Sequence, residues 1–190
     1  MFSYHLLSTI NDTLSNKSVL DLGAGLGLSG MCALNSRANL VTLSDYGDSY
    51  NHLKFNIELN HLSDKCSVKE LDWNSPEMMM EANNSYDVIL AIECIYHEPI
   101  VEPLVKTINY YLKPGGVVYV AGARHRHCYF HFIHLILSLG FSISTEELKC
   151  PDENLGRYSN SAELTVGWFS EGDFEYEKNN IILLKCVKNM

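Results

Sequence analysis

The sequence predicts an α/β fold in which a mostly parallel sheet of about seven strands carries helices on both faces and ends in an antiparallel strand. Two observations predict it. Short apolar runs of strand length alternate with longer amphipathic segments over most of the chain. A glycine-rich turn joins the first of those runs directly to a helix, as in β-α-β units that bind ligands at strand ends. At 190 residues, a chain of this size buries roughly 70% of its unfolded surface, so a single domain over residues 1–190 is expected.

Taken in order, Ser3 to Leu14 reads as a short helix with Leu6, Leu7, Ile10 and Leu14 on one face, and Lys17 to Leu22 as the first strand. Gly23 to Gly27 form the turn, and Leu28 to Ser36 continue as a helix. Asn39 to Ser44 make a second strand ending at Asp45, followed by a helix over Ser49 to Asn60. Cys66 to Leu71 make a third strand. A loop from Asp72 to Pro76 leads into a short helix through the methionines to about Ala82, with the proline suited to its first turn. Tyr86 to Ile92 form a buried fourth strand, and Pro99 to Leu112 a helix stopped by the Lys113-Pro114-Gly115-Gly116 turn. Val117 to Gly122 are the fifth strand, His127 to Leu139 a helix ending before Gly140, and Phe141 to Glu147 a sixth strand. Ala162 to Phe169 and Asn180 to Val187 are further strand candidates, separated by an acidic turn over Glu171 to Glu177.

Lys plus Arg number 14 and Asp plus Glu 23, a net charge of −9, which argues against a surface that holds duplex nucleic acid by counterion release. No run approaches the ~18–20 apolar residues of a membrane span. The first residues carry neither a basic region nor a small-residue cleavage site, so no secretory signal is expected. The six cysteines are scattered without a C-x-x-C, as reduced thiols in a core are. A cytoplasmic or nuclear protein without a structural metal follows. His125, His127, His131 and His134 cluster without a third ligand type and read as surface or core histidines. Met78, Met79 and Met80 read as packing, and Glu171, Asp173, Glu175 and Glu177 as a solvated turn.

The strongest local signal is V-L-D-L-G-A-G-L-G, Val19 to Gly27. Glycine there lets the backbone turn tightly and approach a ligand closely at the positive end of the following helix. The spacing is G-x-G-x-G, with Leu28 where the third glycine of a dinucleotide fingerprint would fall, so nicotinamide dinucleotides are not expected. Asp45, at the end of the second strand, is placed to accept hydrogen bonds from the vicinal hydroxyls of a ribose, and an adenosine cofactor is implied. Asp72 and Trp73 follow the third strand on the same rim, where a carboxylate meets an adenine amino group and an indole lines the ring. Trp73 as a core aromatic is the equal alternative. After the fourth strand, Ala91, Ile92, Glu93, Cys94, Ile95 and Tyr96 bring a charged residue out of an apolar strand where open α/β sheets bind ligands.

The set L-D-L-G-A-G-L-G, S-D-Y, L-D-W and Y-D-V-I-L-A-I-E-C-I-Y-H-E-P, in this order over about Lys17 to Phe141, resembles the Rossmann-like seven-β-strand S-adenosylmethionine-dependent methyltransferases. More narrowly it is similar to the small eukaryotic protein lysine methyltransferases called methyltransferase family 16, whose acidic-x-x-Tyr motif Glu93 to Tyr96 matches. The resemblance implies an S-adenosyl-L-methionine cofactor held by Asp21, Gly23, Ala24, Gly25, Gly27, Asp45, Tyr46, Asp72, Trp73 and Ala91, and catalytic roles toward a target amine for Glu93 and Tyr96. S-D-Y-G-D, A-R-H-R-H and T-V-G-W-F are similar to the branch acting on elongation factor 1 alpha, so the implied partner is a protein substrate, with no nucleic acid and no membrane. A Trp-Pro segment usual before the first strand is absent from the 16 residues ahead of Lys17, where Phe2, Tyr4 or His5 would take its place. A small-molecule N-methyltransferase and a degenerate fold serving as a binding partner are the alternatives.

Overall fold

The computed structural model describes residues 10, 12–75, 83–123, 126–147 and 181–189. Seven strands form one sheet: β1 (Ser18–Leu22), β2 (Leu40–Asp45), β3 (Ser67–Glu70), β4 (Tyr86–Ile92), β5 (Leu112–Ala123), β6 (Phe141–Glu147) and β7 (Ile181–Lys188), in the order β3-β2-β1-β4-β5-β7-β6. β3, β2, β1, β4 and β5 pair in parallel. β7 slots antiparallel between β5 and β6, the antiparallel last strand expected.

Four helices lie wholly within the described residues and flank the sheet: α1 (Leu28–Leu34), α2 (Asp48–Leu59), α3 (Val101–Tyr111), preceded by a 3-10 turn over Glu98–Ile100, and α4 (Cys128–Ser138). Alternation along the strands assigns each side chain to a face. Leu20, Leu22, Ile89, Ala91, Val118 and Val120 pack with Val101, Leu104, Val105 and Ile108 of α3 and with Tyr129, Phe132 and Ile136 of α4. Val19, Val88, Leu90, Tyr119 and Ala121 pack on the opposite face with Ala33 of α1 and Leu53 and Ile57 of α2. The α3 residues recur at i, i+3, i+4 and i+7, so one stripe meets the sheet. Each such side chain contributes roughly 1.5–3 kcal/mol when fully buried.

One boundary is corrected. Lys113 to Gly116 do not separate helix from strand: β5 begins at Leu112, opposite Tyr86, and its next paired residue, Val117, stands opposite Val88. The four residues bulge out of a continuing strand, and Gly115 takes φ +76° at the bulge, a conformation open to glycine. Lys113 thereby reaches back to Asp87 at 2.9 Å. Of the expected first helix, Ile10 and residues 12–14 are described and helical. The rest of it, the methionine helix, the 162–169 strand and the acidic turn lie outside the described residues. No described helix is long and apolar enough to cross a membrane.

Candidate active site

The strand order places β1 beside β4, with β2 and β3 running on from β1 in the other direction. Parallel strands leaving this switch point in opposite senses open a crevice at their carboxyl ends. The crevice holds about 370 Å³ and is lined by Gly23 after β1, Asp45 at the end of β2 and Tyr46 after it, Leu71 to Asn74 after β3, and Glu93, Cys94 and Tyr96 after β4. That volume is within the range of small-molecule sites. Seven residues read from the sequence as cofactor or acceptor groups, Gly23, Asp45, Tyr46, Asp72, Trp73, Glu93 and Tyr96, thus meet in one cleft.

The glycine turn is tied to β2 by a carboxylate. Gly25 N donates to Asp45 Oδ2 at 2.6 Å and Tyr46 N donates to Asp45 Oδ1 at 2.8 Å. A carboxylate accepts at about four lone-pair positions, so each oxygen retains one for a ligand. Gly23 and Gly25 have φ +62° and +56°, and a Cβ on Gly25 would meet nothing within 4 Å, so this part of the turn fronts open space. A Cβ on Gly23 would lie 2.9 Å from Cys94 Sγ and 3.2 Å from the Trp73 ring. Trp73 is half-buried against the core and also lines the cleft. Asp72 Oδ1 accepts from Asn74 N at 2.9 Å, which shapes the loop after β3.

The remaining residues of the predicted set do not line the cleft. Asp21 is fully buried on the α1 face of β1, where its Oδ2 accepts from Ser29 Oγ at 2.6 Å while Oδ1 has no hydrogen-bond partner among the described residues. Burial pushes its carboxyl up to about 7, against the hydrogen bonds from Ser29 and the Gly30 backbone. Ala24 and Ala91 belong to the core on opposite faces of the sheet. Gly27 stands at the amino end of α1 with φ +93°.

Glu93 is the first residue past β4 and takes φ +60°, a left-handed conformation costing roughly 1–2 kcal/mol for a residue with a side chain. Its N–H donates to Ala121 O at 2.7 Å, and Cys94 Sγ donates to Leu22 O at 3.0 Å. These two bonds hold the backbone in place and turn the carboxylate into the cleft. The sequence offers Glu93 no nearby partner, yet Arg126 Nη1 lies 2.7 Å from its Oε2 and 3.4 Å from Ile95 O. Arg126 sits within the A-R-H-R-H run, so the segment was visible in the sequence but the pairing was not. Tyr96, 64% exposed, and Tyr46, 57% exposed, both line the cleft. His131 Nδ1 meets Glu98 Oε1 at 2.5 Å, which gives that histidine a structural partner and fastens the 93–98 segment to α4.

The lysine methyltransferase family model matches residues 1–138, which include every cleft residue named above. The chain belongs to the lysine methyltransferase family. Among curated family relatives, the yeast protein-lysine N-methyltransferase EFM6 is 33% identical over 150 residues, 70% of this chain and 60% of that protein. The calmodulin-lysine N-methyltransferase of Arabidopsis thaliana is 36% identical over 102 residues, 51% of this chain and 33% of that protein. Mouse METTL21A, a protein N-lysine methyltransferase, is 33% identical over 107 residues, 55% of this chain and 48% of that protein. The chain spans 60% or less of the length of each. An S-adenosylmethionine-dependent methyltransferase from Mesorhizobium loti superposes with TM-score 0.68 at 14% identity, covering 96% of both chains. The [4+2]-cyclase SpnF superposes with TM-score 0.69 at 15% identity over 98% of this chain and 81% of that one. These likenesses establish the Rossmann-like methyltransferase fold, and the cyclase shows that the fold alone does not set the chemistry.

Proposed function

We propose that this chain, as one domain, transfers a methyl group from S-adenosylmethionine to a lysine amine of a protein. The observation that carries the reading is the convergence of Asp45, Asp72 and Glu93 from three successive strand ends on one cleft in a lysine methyltransferase. The residues present fit the cofactor. Asp45 keeps accepting capacity for two ribose hydroxyls, Trp73 offers an aromatic wall, and the acidic lining suits a ligand with a sulfonium and an ammonium charge. When bound, the cofactor supplies a methyl carbon already activated by cationic sulfur.

What is left to the protein is to present the acceptor and exclude water. A protonated lysine has no lone pair, so the amine must lose its proton first. Glu93 accepts a hydrogen bond from the amine and orients its lone pair, and Tyr96 places a hydroxyl or ring face beside the same opening. Exposed Tyr46 and Tyr96 leave that opening wide, which suits a lysine on a protein surface better than an enclosed small molecule. A translation factor such as elongation factor 1 alpha is the substrate that the sequence resemblance favours, and the scattered, reduced cysteines favour the cytoplasm.

The test is incubation with tritiated S-adenosylmethionine and an extract depleted of methylation, with identification of the labelled protein. Glu93→Gln and Tyr96→Phe should each lower labelling about ten-fold or more. Melting should barely change, because a partly exposed ion pair such as Glu93–Arg126 is worth ~0–1 kcal/mol. Labelling at the parent rate by either variant overturns the role of that residue.

A further inference from the structure

Tyr129 lies in the first turn of α4, is 4% exposed, and its hydroxyl has no hydrogen-bond partner among the described residues. Leaving a buried hydroxyl unpaired costs ~1–3 kcal/mol, and native structures pair the large majority of such groups. The hydroxyl faces a gap in β5. A Cβ built on Gly122 would lie 2.6 Å from Tyr129 Oη and 3.4 Å from Glu93 Oε1. The phenol and the acceptor carboxylate therefore border the same space, which exists because residue 122 has no side chain.

The two oxygens of Glu93 differ. Oε2 is taken by Arg126, whereas Oε1 looks toward the gap. Burial pushes the Tyr129 phenol above its ordinary range and the charge of Glu93 adds to this, so the hydroxyl remains a donor. An acceptor amine approaching Glu93 is a nitrogen donor like the guanidinium and competes with it for Oε2. Arg126 still has the Ile95 carbonyl at 3.4 Å and can yield the carboxylate without leaving the loop. A carboxylate held through one oxygen only, by the guanidinium or by the amine that replaces it, keeps a fixed orientation when a second donor on a rigid element holds the other oxygen.

We propose that Tyr129 is a positioning residue for the acceptor carboxylate: as the substrate amine replaces Arg126 on Glu93 Oε2, the Tyr129 hydroxyl donates to Oε1 and fixes the orientation of the carboxylate. This rests on the reading of Glu93 as the amine-facing group.

The test uses the full chain with carbon-13-labelled Glu carboxyls and follows the Glu93 carboxyl resonance by NMR at one fixed pH. Arg126→Ala imitates departure of the guanidinium. Adding Tyr129→Phe to it should move that resonance, because the donor to Oε1 is lost. Identical Glu93 resonances in Arg126→Ala and Arg126→Ala/Tyr129→Phe overturn the proposal. Tyr129→Phe alone should lower methyl transfer to the labelled acceptor about ten-fold while leaving S-adenosylhomocysteine affinity unchanged and melting unchanged or raised. Lower melting without a resonance difference marks a purely structural tyrosine and also overturns it. A parent protein that labels no lysine refutes the proposed function, whereas the resonance comparison judges Tyr129 independently of turnover.

Discussion

Asp45→Ala tests the cofactor site most directly. The carboxylate ties Gly25 N at 2.6 Å and Tyr46 N at 2.8 Å, and its remaining lone pairs face the cleft. Hydrogen bonds to a charged acceptor are worth ~1.5–3 kcal/mol, so loss of the ribose contacts alone should weaken S-adenosylhomocysteine binding about 10- to 150-fold. Truncation also frees a turn whose glycines hold positive φ. Losing one such tether, at roughly 1.5 kcal/mol, should lower the melting temperature by about 3–6 °C for a domain of this size. Asp45→Asn keeps a carbonyl oxygen for Gly25 N but loses the charge, so its affinity should fall between parent and Ala. Calorimetric titration of the three proteins at 25 °C, with melting curves in parallel, reads both effects. An unchanged dissociation constant in a folded Asp45→Ala protein would refute the placement of the ribose and with it the assignment of the cleft.

Gly122→Ala should destabilise by ~1–3 kcal/mol, since its Cβ would lie 2.6 Å from Tyr129 Oη. Tyr129→Phe should restore most of that loss, and thermal melts of the four proteins of the cycle check it. Asp87 accepts from Ser18 N, Ser18 Oγ and Lys113 Nζ. Burial raises its carboxyl, but these bonds and the lysine charge outweigh that and bring it down to about 2. The folded state thus favours the carboxylate, and the stabilisation, present above about pH 4, is lost as pH falls toward 2. Asp87→Asn should cost ~1–2 kcal/mol at neutral pH after discounting for partial exposure, with its melting deficit closing in acid. Asp21 has the opposite sign: with its carboxyl raised to about 7, the folded state holds a proton that the unfolded state has released. Stability from this group is complete below about pH 4, declines as pH rises, and is gone above 7. Urea midpoints at pH 5 and 8 should differ less for Asp21→Asn than for the parent.

The sheet and four of its ligand-facing ends were legible because each strand leaves one short apolar run and each strand-end carboxylate interrupts it. Asp45, Asp72 and Glu93 are such interruptions, and periodicity places them on one rim. Other features depend on contacts that periodicity does not encode. Lys113-Pro114-Gly115-Gly116 has turn chemistry, but whether a turn ends a strand or bulges from it is decided by the pairing of Leu112 with Tyr86. Asp21 carries the sequence signature of a site residue, yet strand alternation sends its side chain beneath α1 rather than into the cleft. Arg126 and Tyr129 are far from Glu93 in sequence, and their convergence on it follows from α4 packing over the end of β5. The left-handed backbone at Glu93 is not legible at all, since glutamate has no preference for it.

That backbone has a consequence for anyone who would make the protein sturdier. Position 93 is conformationally cheaper for glycine, and asparagine tolerates it better than glutamate does, so a screen that rewards heat resistance alone will select either at this position. Such winners would fold better and, with Glu93 in the role proposed for it, methylate worse. Stability engineering of this chain should therefore hold residue 93 fixed and gather its gains elsewhere.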